Sequence, residues 1–125
     1  MTNHEDLPYI NHILDAVNDI EESVKNLTED QFAKNKDAKE ANIRRIEVIG
    51  EAVKNISRDF KEKHKEIEWN KIAGMRDVLI HHYFGVNLKN VWKVIKEDLP
   101  SLKQKILKIK EELEEVKEAD TKEEI

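Results

Sequence analysis

A chain of 125 residues is one domain's worth of protein, so its function has to fit on one compact core or on a symmetric assembly of copies. Charged residues make up 39% of it and the mean hydropathy is −0.75, which excludes a stretch of roughly 20 apolar residues able to span a membrane. Without cysteine there is no disulfide framework, thiolate nucleophile or zinc–thiolate site, and three glycines with two prolines are too few for a turn-rich β protein. The opening residues, Met1 to Asp6, lack the basic-then-apolar pattern of a signal peptide. A cytoplasmic helical domain is the expectation.

The net charge of −5 is unevenly spread. From Glu111 to Ile125 eight acids face two lysines, a balance of −6, while the other 110 residues carry 20 basic and 19 acidic groups. The body is close to neutral, so the overall acidity does not exclude a local basic patch for a phosphate backbone.

In chain order, Ile10, Ile13, Leu14, Val17, Ile20, Val24 and Leu27 recur at three- and four-residue intervals and predict a helix over about 7–27. Asp6 is placed to cap it, and Pro8 is tolerated in its first turn. Thr28 and Gln31 have capping-box spacing, which puts Phe32 in a short helical turn. A longer helix is predicted over about 37–63, with Ala41, Ile46, Ile49, Val53, Ile56 and Phe60 inward. Within it Gly50 and Ala52 point to a close helix–helix approach, since glycine weakens a helix interior. A third helix starts near Trp69 and Asn70, with Ile72, Met75 and Leu79 on one face and Gly85 at its end or in the loop beyond. Asn87 is placed to cap a fourth, bearing Leu88, Val91, Trp92 and Ile95. Pro100 opens a fifth, with Leu102, Ile106, Ile109, Leu113 and Val116.

The fold class is therefore all-α, a small bundle of about five helices with two long antiparallel members. Residues 1–118 form the domain and 119–125 a frayed acidic tail. So small a core gains by association, and a two-fold homodimer is the expected assembly.

Gly74 to Gly85 is unlike the rest: it gathers Arg76, Asp77, His81, His82 and Tyr83 within eight residues. On an ideal helix Tyr83 falls within about 20° of Arg76, whereas His81 lies about 140° away. Asp77 and His81, four apart, share a face, so the carboxylate can orient the imidazole. Arg76 and His81 reach one small target only if the helix unwinds near His81 or a second protomer completes the site. The set has the parts for metal-free RNA cleavage: an imidazole to move protons and a permanent cation for the phosphate. The structural alternative also stands, with Arg76 paired to an acid on a neighbouring helix and the histidines bonded to backbone at the core edge.

Arg76, four residues, His81, one residue and Tyr83 resemble the arginine-x4-histidine-x-tyrosine signature of the HepT-like toxins in the HEPN superfamily. The likeness runs from Tyr9-Ile10-Asn11-His12-Ile13-Leu14 through Arg44-Arg45-Ile46-Glu47-Val48-Ile49-Gly50-Glu51-Ala52 and Trp69 to Tyr83-Phe84-Gly85-Val86, Val91-Trp92 and Glu97-Asp98-Leu99-Pro100. The resemblance implies a dimeric helical ribonuclease, the toxin of a toxin–antitoxin pair, with Arg76 and His81 catalytic, Asp77 supporting and no metal or cofactor. It also implies a nucleotidyltransferase antitoxin of the MntA kind, which transfers AMP from ATP to Tyr83. A different class of function stays open, that of a non-catalytic helical partner or substrate subunit of such a nucleotidyltransferase.

Elsewhere, no HExxH pair or other metal-ligand spacing occurs, and there is no Gly-rich phosphate loop. Arg44, Arg45, Glu47 and Glu51 occupy adjoining faces of the long helix. One of the first three is expected to line the cleft or brace His81, against the plainer reading of a solvated charge network. Lys89, Lys93 and Lys96 make either a solubility face or an RNA-contacting strip. His4, His12 and His64 read as surface or capping residues.

Overall fold

The computed structural model of the chain describes residues 5–81 and 88–123, with the side chains of 77–81 and 115–123 outside that description. Among the described residues there is no strand. The helices are α1 (Leu7–Val24), α2 (Glu29–Lys34), α3 (Lys36–Asn55), α4 (Arg58–Lys63), α5 (Trp69–His81), α6 (Leu88–Lys93) and α7 (Leu99–Glu123), with a π-helical turn (Val94–Asp98) joining the last two.

The apolar stripe of α1 is the centre of the core, with Ile10, Ile13, Leu14, Val17, Ile20 and Val24 all buried. Opposite it, α3 contributes Ile43, Ile46, Ile49 and Val53. Two polar links show that α1 and α3 are antiparallel. At the far end of α1, Asn42 Nδ2 donates to Ser23 Oγ at 3.1 Å. At the near end, Asp6 is tied to Ser57 just past α3.

That second link corrects the expected role of Asp6. It makes no side-chain cap on α1. Its carboxylate instead accepts from the Ser57 amide and the Ser57 hydroxyl, each at 2.7 Å, and the residue is 2% exposed. The same contact breaks the helix predicted over 37–63. Ile56 and Ser57 are extended (ψ 138° and 151°), and Ser57 Oγ accepts from the Phe60 amide to start α4. Helical spacing continued through the break because Ile56 and Phe60 both still point inward. The α2 capping box forms as expected, with the Gln31 amide donating to Thr28 Oγ1 at 3.1 Å and the Thr28 amide to Gln31 Oε1 at 3.0 Å. Phe32 is fully buried 5.3 Å from the Trp92 ring.

α5 runs back along α3. Trp69 packs on Phe60 beyond the end of α3, while Arg76 meets α3 at Gly50 and Glu51. Pro100 does not restart the chain as expected. The Leu99 amide bonds to the Val94 carbonyl, five residues back, so the wider π turn runs directly into α7 and the proline falls in its first turn, where its missing donor is tolerated. Leu102, Ile106 and Ile109 of α7 are buried, and Lys103 Nζ reaches Glu21 on α1 at 2.9 Å. Gly85 and Asn87, expected as a helix end and a cap, lie outside the described residues, as do the side chains of Leu79 and Val116.

Candidate active-site groove

Gly50 sets the distance between α3 and α5. A β-carbon there would stand 2.5 Å from Arg76 Cβ, so the glycine lets the two backbones approach until the Arg76 side chain lies against α3. This is the close contact that the sequence anticipated from Gly50. From there the guanidinium is oriented by Glu51, whose carboxylate lies 3.2 Å from Arg76 Nε. The Arg76 side chain is 29% exposed and its partner 59%, so the pair is a partly solvated orienting contact rather than a large source of stability.

Arg76 lines an open groove of about 280 Å³ beside α3. Arg44, Glu47, Val48 and Glu51 of α3 line it, and α1 adds Tyr9 and His12. Arg44 Nη1 sits 3.4 Å from the Glu47 carboxylate. Glu47 and Glu51 are like charges one turn apart, but in the fold each carboxylate meets its own arginine. The Tyr9 and His12 rings stand edge to face with centroids 6.2 Å apart.

Of the residues singled out by sequence, the fold brings Arg76 and Arg44 into this groove, with Glu47 beside them. Arg45 does not join them: its guanidinium turns to Asn42 Oδ1 at 2.9 Å. Lys89 and Lys93 are exposed on α6 and do not line the groove, and Lys96 Nζ lies 4.9 Å from the Trp92 ring centre. The α-helical backbone of α5 extends through Asp77 to His81, whose side chains are outside the description, and His82 and Tyr83 are outside the described residues. His12, read from sequence as a surface or capping residue, is exposed but sits at the groove wall. The signal available was the three-residue spacing of Tyr9 and His12, which puts both on one edge of α1. Among the described residues no three histidines or carboxylates gather as a metal site, and no helix is long and apolar enough to cross a membrane.

An all-α bundle that presents a braced arginine in an open groove, five residues before a histidine on the same helix, is a frame suited to chemistry at a phosphate. Comparison with known proteins narrows the class. Residues 13–109 match the family described as "Ribonuclease HepT-like". The chain is 47% identical over 107 residues to the "Probable ribonuclease HepT" of Thermococcus cleftensis, covering 86% of this chain and 96% of that one. It is 52% identical over 109 residues to a Methanocaldococcus jannaschii protein named "Gamma-glutamylcyclotransferase and putative RNase", covering 87% of this chain but 49% of that one. The chain thus spans about half the length of the latter relative. No solved structure matches. The chain belongs to the HepT-like ribonuclease family.

Proposed function

We propose that this chain is a metal-independent endoribonuclease, the toxin of a type VII toxin–antitoxin module, acting as a cytoplasmic homodimer. The observation that carries the reading is the placement of Arg76, packed on Gly50, oriented by Glu51 and lining an open groove. A fixed guanidinium there binds phosphate oxygens and opposes the charge that grows on phosphorus during cleavage. An imidazole from His81 takes the 2′-hydroxyl proton as that oxygen attacks phosphorus, and the departing 5′-oxygen takes its proton from water. Asp77, one turn before His81, orients the ring.

The backbone geometry supports the dimer. Because α5 stays helical through His81, positions 76 and 81 keep their offset of about 140° around its axis, which favours a site completed by a second copy.

Control by modification is the further part of this reading. The antitoxin, an MntA-like nucleotidyltransferase, directs the Tyr83 oxygen onto the α-phosphorus of ATP. The bond to the bridging oxygen breaks, pyrophosphate leaves and the phenolic proton passes to solvent. The added phosphodiester carries negative charge that competes with the RNA phosphate for a guanidinium, and its bulk excludes RNA.

The test is RNA cleavage by the purified chain in EDTA. Wild-type protein is expected to cut, and Arg76→Ala and His81→Ala each to lose about 10²–10³-fold or more in kcat. Activity abolished by the chelator, or retained by both variants, overturns the reading.

A further inference from the structure

We infer that the groove beside Arg76 is a nucleoside subsite, in which Tyr9 and His12 hold the base next to the phosphate that Arg76 engages. The inference deepens the ribonuclease reading and rests on it. Size is the first argument. At about 280 Å³ the groove is larger than a bare phosphate needs and lies at the lower edge of small-molecule sites, which begin near about 300 Å³.

Its walls supply the second argument. On the α1 side stand a half-buried tyrosine and an exposed imidazole held perpendicular to it, and aromatic rings of this kind are what unstacked bases pack against. Between the walls lies Val48, an apolar side chain left 36% exposed in the fold, which the flat face of a base would cover. Opposite, the carboxylates of Glu47 and Glu51 accept hydrogen bonds from amino or imino groups on a base edge.

Charge supplies the third. Arg44 with Glu47 and Arg76 with Glu51 are matched pairs. A track for successive phosphates calls for a surplus of cations, and this groove has balanced signs instead. Such a surface takes one phosphate at Arg76 and an uncharged, hydrogen-bonding base beside it.

The experiment compares wild type with Tyr9→Ala, Tyr9→Phe and His12→Ala, taking Lys34→Ala on α2 as a remote control and helicity by circular dichroism as the check on folding. Binding is measured by fluorescence anisotropy on an RNA strand with a single 2′-deoxy residue at the mapped cut, which removes the attacking hydroxyl. Cleavage is measured on the all-ribose strand and on variants of the base beside the cut.

Tyr9→Ala and His12→Ala are expected to weaken binding about 5- to 150-fold, the range for losing one aromatic–base stack. The loss falls on KM, base preference at the cut relaxes, the salt dependence of binding stays as in wild type, and Tyr9→Phe keeps most of the affinity. Unchanged affinity and preference in both alanine variants, in protein that still cuts, overturn the subsite alone. A fall in kcat with loss of one limb of the pH profile in His12→Ala, KM unchanged, also overturns it and assigns the imidazole to proton transfer. A wild-type chain that binds the all-ribose strand in a Tyr9-dependent way yet leaves it intact overturns the ribonuclease reading and not the subsite.

Discussion

Two glycines on neighbouring helices meet opposite surroundings, and the contrast isolates what holds Arg76 in place. At Gly50 an added methyl collides with Arg76 Cβ at 2.5 Å, whereas at Gly74 it would meet nothing within 4 Å. Gly50→Ala is therefore expected to force α3 and α5 apart, with a loss of about 1–3 kcal/mol in urea denaturation and a fall in RNA cleavage as the guanidinium leaves Glu51. Gly74→Ala relieves a helix-interior glycine with no clash and is expected to gain up to about 1 kcal/mol. Equal effects from the two substitutions would show that helix propensity, not the α3–α5 approach, governs both positions. The arginine was legible in the sequence because its motif is local. Arg44 and Glu47 were legible as cleft candidates and a pairing of Arg76 with an acid on a neighbouring helix as an alternative, but Tyr9 and His12 were not, because only the tertiary fold brings α1 beside Arg76.

Among the elements, the joints departed most from the sequence pattern. Ile56 ends one helix and Ser57 caps the next, and Asp6, the partner of Ser57, lies fifty-one residues away. Asp6→Ala leaves the Ser57 amide and hydroxyl without their acceptor, and a loss of about 2–4 kcal/mol in denaturant unfolding is expected, because hydrogen bonds to charged groups are among the stronger ones. A change below about 0.5 kcal/mol would mean that the joint holds without the carboxylate. The α1 stripe, the α2 capping box and the start of α5 were readable, since each is written in residues three or four apart. The break at Ile56 was hidden because the inward periodicity carries on across it. The π turn was hidden because a proline signals a helix start whether or not helix precedes it.

On the scale of the whole molecule, the nearly neutral body and the acidic end make RNA binding a matter of a few placed cations rather than overall charge. The joint action of Arg76 and His81 at a site shared by two protomers is the central proposal, and it has a direct test. Arg76→Ala and His81→Ala chains, each expected to be inactive by itself, are unfolded together, refolded and assayed for RNA cleavage. In a mixed dimer one site loses both groups while the other recovers an intact arginine from one chain and an intact histidine from the other. Random re-pairing should restore about a quarter of wild-type activity, since half the dimers are mixed and each has one whole site. Activity that stays at the level of the separate variants, in a mixture shown by mass spectrometry to contain the mixed dimer, would contradict a site built across two chains.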